Sequence, residues 1–93
     1  MTSKRGKPEI IFDILLSVQE SGGKIKPTRL LYKSNLSHAR LKLYLESLMK
    51  QELLSIGASD VGESRKFITL TEKGHQFIAE YRKMKELIES FGI

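Results

Sequence analysis

The sequence predicts a mainly α-helical fold with one small β-hairpin, closed by a long C-terminal helix. Three observations carry this reading: apolar residues recur at helical spacing in four places, two β-prone segments flank a turn-rich stretch, and capping or breaking residues separate the elements. At 93 residues the chain has room for one compact unit and one core.

From Pro8 onward, Ile11, Ile14, Leu15 and Val18 follow the i, i+3, i+4, i+7 pattern of an amphipathic helix. Pro8 suits a first helical turn, and Ser21-Gly22-Gly23 supplies a stop. Lys26-Pro27-Thr28 is a second start signal, leading into Arg29 to Ser34, a helix of about two turns anchored by Leu30 and Leu31. After the tight connection Ser34-Asn35-Leu36, the Ser37 hydroxyl is placed to cap a third helix. On that helix Leu41, Leu45, Leu48 and Met49 share one face at about 100° per residue and are assigned to the core. Ala39, Arg40, Lys42 and Leu43 flank that face or point away from it, and His38 falls near its edge at the helix start.

Leu53 to Ser59 alternates loosely, with Leu54, Ile56 and Ala58 on one side. Asp60 to Ser64 supplies turn residues around Gly62, and Lys66 to Leu70 is β-prone, so a hairpin is expected whose return opens with Arg65 and Lys66. Thr71 is a candidate cap for the last helix, which runs without a breaker from Gln76 to about Phe91. A short second helix, a tight turn into a third, and a hairpin behind them make the plan of a winged helix-turn-helix.

Charge is distributed unevenly. The net charge is +5, yet between Glu20 and Glu46 no acidic residue occurs, while Lys24, Lys26, Arg29, Lys33, Arg40 and Lys42 do. Lys4, Arg5 and Lys7 precede the first acid, Glu9. A basic face of this kind points to a polyanion. In the helix-turn-helix mode the third helix enters the major groove, about 12 Å wide, and offers its N-terminal residues to base edges. Here those are Ser37, His38, Arg40 and Lys42. Arg40 can pair bidentately with guanine, and Lys42 is expected to reach a phosphate. Ser37 is equally a plain cap, and His38 either bonds a phosphate or covers the helix end. Lys26, Thr28, Arg29 and Lys33 are expected on phosphate, and Arg65 and Lys66 flank the wing. Ala39 and Leu43 form an apolar spot for thymine methyl groups or for the second helix. Few base-specific donors remain, so weak sequence discrimination is expected.

On the last helix, Phe77, Tyr81, Met84, Ile88 and Phe91 are spaced 4, 3, 4 and 3 apart, the alternation of d and a positions in a coiled-coil seam. By Met84 a helix rising 1.5 Å per residue has run about 20 Å from Thr71, past the edge of so small a domain. Phe77, Tyr81, Met84, Leu87, Ile88 and Phe91 are therefore expected to form a dimer seam, the alternative being a helix doubled back over the first.

Several segments together resemble one family: Glu9-Ile10-Ile11, Thr28-Arg29-Leu30-Leu31-Tyr32, Asn35-Leu36-Ser37, Tyr44-Leu45, Leu48-Met49, Leu53-Leu54 and Leu70-Thr71-Glu72-Lys73-Gly74. These are similar to the archaeal ten-kilodalton winged-helix DNA-binding proteins, chromatin proteins and transcription regulators. The resemblance covers nearly the whole chain. It implies a homodimer whose last helices pair as an antiparallel coiled coil, with a winged domain at each end. The chain departs from that pattern at His38, where an aromatic is common, and at apolar Leu43. On this reading residues 1–75 are the winged helix-turn-helix DNA-binding domain and 76–93 the dimerisation helix of what is a single domain overall.

The remaining expectations are absences. With no cysteine and two histidines, neither a disulfide framework nor a metal site is expected. No Gly-rich phosphate loop, paired carboxylates or serine with a nearby base is visible, so neither an enzyme nor a cofactor is expected. No unbroken apolar run approaches the roughly 20 residues of a membrane span, and a cytoplasmic, nucleoid-associated protein is expected. No small-molecule effector is evident in the sequence. The function expected is double-stranded DNA binding as a regulator or architectural protein, the alternative being a winged helix used for protein contacts.

Overall fold

The computed structural model of the chain describes residues 6–58 and 66–92. Four helices and three short strands follow in the order α1 (Lys7–Glu20), β1 (Lys24–Ile25), α2 (Pro27–Ser34), α3 (His38–Lys50), β2 (Leu54–Ala58), β3 (Lys66–Leu70) and α4 (Glu72–Ser90). The strands form one antiparallel sheet in the order β1-β3-β2. This is a winged helix with a long final helix.

Local chemistry accounts for the element ends. Pro8 sits in the first turn of α1, where its missing N–H costs no hydrogen bond. Beyond α1, Gly22 and Gly23 adopt φ of +86° and +95°, a region open to glycine. The Gly23 N–H returns to the Val18 carbonyl at 3.0 Å, which turns the chain into β1. Pro27 opens α2, and Asn35, left-handed at φ 60°, ends it. The expected cap on α3 is present, because the Arg40 N–H donates to the Ser37 hydroxyl oxygen at 3.2 Å.

The sequence patterning did not reveal β1. A two-residue strand has no periodicity to read, and its register is supplied by β3, with Lys24 opposite Thr69 and Ile25 opposite Ile68. The expected hairpin forms, with Leu54 opposite Leu70 and Ile56 opposite Ile68. Its turn, with Gly62 and Arg65, lies outside the described residues. Ile56 lies on the Leu54 side but is exposed on the edge strand β2, whereas its cross-strand partner Ile68 on the central strand β3 is buried.

The core sits between α1, the three-stranded sheet and the inner faces of α2, α3 and α4. Ile14, Leu15, Val18 and Leu30 are completely buried at its centre, and truncating one of these leucines to alanine costs about 2–5 kcal/mol. Of the α3 face, Leu41 and Leu48 are buried, while Leu45 and Met49 are half-buried at its margin.

Helix α4 is anchored at the hairpin base. The Thr71 hydroxyl oxygen accepts from the Gly74 N–H at 3.0 Å, and its proton is shared between the carbonyls of Glu52 (2.7 Å) and Leu53 (2.9 Å). Gly74 makes the close fit possible, since a Cβ there would stand 2.5 Å from both the Leu53 carbonyl oxygen and Leu70 Cδ1. The Lys73 ammonium donates to the Gln51 carbonyl at 2.9 Å, tying α4 to the end of α3. The helix therefore begins at Glu72 and passes through residue 76 without a break.

The packing of α4 changes along its length. Ile78 is buried in the core, and Tyr81 meets Phe12 of α1 edge-on, with ring centroids 4.6 Å apart. Tyr81, expected in a dimer seam, is only 8% exposed and thus covered within its own chain. Phe77 is likewise packed against the core cluster. Burial raises the Tyr81 hydroxyl above its ordinary pKa of 10.0, and the carboxylates of Glu9 and Asp13 add to the effect. Beyond Tyr81 the cover ends: Met84, Leu87, Ile88 and Phe91 are 49%, 58%, 41% and 72% exposed.

Candidate nucleic-acid interface

Three neighbouring elements expose basic and polar residues. β1 contributes Lys24, the start of α2 contributes Lys26, Thr28, Arg29 and Lys33, and α3 contributes Ser37, His38, Arg40 and Lys42. All are exposed. Among the described residues, no carboxylate lies within ion-pair distance of Lys24, Lys26, Arg29, Lys33, Arg40 or Lys42. Their charges are therefore uncompensated at close range and directed to solvent, where an external polyanion finds them unpaired.

The face has two concavities. A cleft of about 380 Å³ is lined by Lys24, Lys26, Arg29 and Lys33 together with Phe67, and Glu20 is its one acid among the described residues. Across it the Lys24 ammonium lies 5.3 Å from the centroid of the Phe67 ring, a cation–π contact. A smaller cavity of about 170 Å³ opens between α2 and α3. Its walls are Pro27, Leu31, Leu41 and Leu45, and Thr28, His38 and Lys42 also line it.

The two concavities bring Thr28 together with His38 and Lys42, and Lys26 together with Arg29 and Lys33; Ser37 and Arg40 line neither. Lys66 is exposed at the start of β3, on the hairpin rather than on α2 or α3, and Arg65 lies outside the described residues. Ala39 and Leu43 both face solvent; Leu43 is 67% exposed, so the apolar spot is not covered by α2. Two residues were not singled out. Lys24 belongs to the same acid-free run, but its place in the cleft depends on β1, which the patterning missed. Tyr32 is 87% exposed on α2 between Arg29 and Lys33; its spacing of four residues from Thr28 was the available signal.

Among the described residues, no group of three histidine, aspartate or glutamate side chains is placed to hold a metal ion, and no helix is long and apolar enough to cross a membrane.

Comparison with known proteins places this geometry. The family model for the winged helix-turn-helix matches residues 4–89. The chain belongs to the winged helix-turn-helix family. Within that fold, it is similar to Sso10a-2, a DNA-binding protein from Sulfolobus solfataricus, at 32% identity and a TM-score of 0.69, covering 95% of this chain and 90% of that one. The expected likeness to archaeal ten-kilodalton winged-helix proteins is thereby met. Two further structures share the fold at lower identity. F93 from STIV, a winged-helix DNA-binding protein, is 21% identical with a TM-score of 0.73, covering 91% of this chain and 95% of that one. A probable transcriptional regulator from Pseudomonas aeruginosa is 19% identical with a TM-score of 0.75, covering 86% of this chain and 59% of that one. No curated protein matches the sequence.

Proposed function

We propose that this winged-helix chain binds double-stranded DNA as a homodimer, acting as a transcriptional regulator or architectural chromatin protein without catalytic activity. The observation that carries the reading is the uncompensated basic face of β1, α2 and α3 around the exposed start of a capped third helix. The similarity to the DNA-binding protein Sso10a-2 supports it. In the docked arrangement, the first turns of α3 enter the major groove with Arg40 toward a guanine edge and Ser37, His38 and Lys42 toward phosphate or base. Lys26, Thr28, Arg29 and Lys33 take phosphates beside the groove, and Arg65 and Lys66 reach the backbone from the wing.

The dimer rests on the outer half of α4, where Met84, Leu87, Ile88 and Phe91 are exposed together. Two such helices paired antiparallel about Met84 set Met84 opposite its own copy and Arg82 opposite Glu86, and cover Leu87 and Phe91. Residues 76–93 then serve as a dimerisation helix whose first turns also belong to the winged domain.

Fluorescence anisotropy of a labelled random-sequence duplex, titrated at several salt concentrations, tests the DNA reading. Binding at micromolar protein or tighter with a steep negative salt slope, about 0.9 per phosphate neutralised, is the expected result. No binding at low salt overturns it and turns attention to protein partners. Sedimentation equilibrium tests the dimer, which a 10.6 kDa species at all concentrations overturns.

A further inference from the structure

We propose that Leu43, with Ala39 one turn before it, reads the 5-methyl group of thymine, so that the chain prefers A·T pairs by apolar contact rather than by hydrogen bonds. The inference rests on the proposed DNA binding and adds which base the third helix favours. On α3 the other large apolar side chains, Leu41, Tyr44, Leu45, Leu48 and Met49, are buried or half-buried, whereas Leu43 is 67% exposed. At about 100° per residue, Ala39 and Leu43 lie about 160° and 200° from Leu41, on the side of the helix opposite the core. Folding makes no use of a leucine there.

The surroundings identify the occupant. Arg40 and Lys42, both exposed, flank the strip at about 260° and 100°, and Ser37 caps the helix start just before it. Glu46, exposed about one turn beyond Leu43, bounds it. One alanine and one leucine are far too little for a protein interface, which buries on the order of 1,000 Å², and an apolar partner would desolvate the two cations without pairing them. Duplex DNA meets both chemistries at once. Its phosphates line the groove walls, and thymine alone among the unmodified bases presents a methyl group in the major groove. Ala39 and Leu43 stand about 6 Å apart along the helix axis, about two base-pair steps, so the strip spans neighbouring pairs.

The test uses the full chain and two labelled duplexes of one A·T-rich sequence, the second made with uracil in place of thymine. The exchange removes one major-groove methyl group per A·T pair and keeps the phosphates and hydrogen-bonding groups. Burying one methyl group is worth about a fourfold gain in affinity, so a dimer reading with both domains is expected to bind the thymine duplex about tenfold more tightly in anisotropy. The log–log salt slope is expected to be the same for both, since the phosphate contacts are the same. Leu43→Ala, at an exposed helical position that suits alanine, is expected to keep the native circular dichroism spectrum and to reduce the preference to less than about threefold. In the wild-type complex, nuclear Overhauser effects are expected between the thymine methyl protons and the Leu43 δ-methyl groups.

Equal affinity for the two duplexes, a preference that survives Leu43→Ala, or thymine methyl contacts to other residues only each overturns the assignment while the DNA reading stands. Failure to bind either duplex at low salt overturns the DNA reading itself, so the two failures are distinguishable.

Discussion

The basic face of β1, α2 and α3 and the outer half of α4 are both left open to solvent, but they expose opposite chemistries. The first presents uncompensated cations around a capped helix start. The second presents Met84, Leu87, Ile88 and Phe91, interspersed with charges of both signs on Arg82, Lys85, Glu86 and Glu89. Like charges on one face repel each other and are stabilised by a polyanion from outside, acting over the Debye length and weakened by salt. An apolar seam gains free energy only on contact, in proportion to area, and salt leaves it nearly untouched. The basic face should therefore fail without disturbing the seam, whereas loss of the seam reaches DNA binding only through the loss of a second domain.

The largest effect is expected on the basic face. Reversing both Arg40 and Lys42 to glutamate should lower duplex affinity by about a hundredfold or more in anisotropy, since each lost base or phosphate contact is worth about 1–3 kcal/mol. The same variant should sediment as the wild type does; a lost dimer would mean that the two surfaces are coupled. Next in size, Leu87→Glu with Ile88→Glu should place charges in the seam at a cost of several kcal/mol and leave a folded monomer by sedimentation. DNA affinity then falls because the two domains no longer bind together. The register is sharpened by Met84→Cys, which in an oxidised sample should cross-link to its own copy across the two-fold axis far faster than Leu87→Cys. A smaller effect is expected from Lys33→Gln, less than tenfold in affinity at low salt, with the log–log salt slope reduced by about 0.9.

The smallest effect marks where the two regimes of α4 meet. Because the folded-state pKa of Tyr81 is raised by burial and by Glu9 and Asp13, the unfolded chain releases this proton first as pH climbs. Its contribution to stability is fully present below the unfolded value near 10 and is lost as pH rises through the folded one. Chemical denaturation across alkaline pH should show a decline that Tyr81→Phe flattens.

Much of this arrangement was legible in the sequence because it is written in local signals. Ser37 and Thr71 were readable as caps from type and position alone, and both make the expected bond. The acid-free interval located the basic face before any fold was known, since charge needs no geometry to be counted. What was not legible depends on partners distant in sequence. β1 is a strand only because β3 lies alongside, and so Lys24 could not be placed in the cleft with Phe67. Tyr81 fits a heptad, but periodicity records which face a residue occupies and not what covers it; Phe12, far away in the chain, decided that. The cavity between α2 and α3 was equally hidden, being a space between helices that no single segment encodes.

Gly74 has a consequence beyond close packing. The nineteen residues of α4 form a rod of about 28 Å, clamped at one end by Thr71, Lys73 and the glycine. A rod packed only as far as Tyr81 is aimed by that first half, and any angular error set there grows with distance until it is greatest at Phe91. A methyl group at position 74 would push the first turn off the Leu53 carbonyl and swing the far end across the seam. In the proposed dimer that swing would also misplace the second winged domain, carried at the opposite end. The separation between two reading heads would then be adjusted, like the focus of an instrument, by the smallest side chain in the molecule.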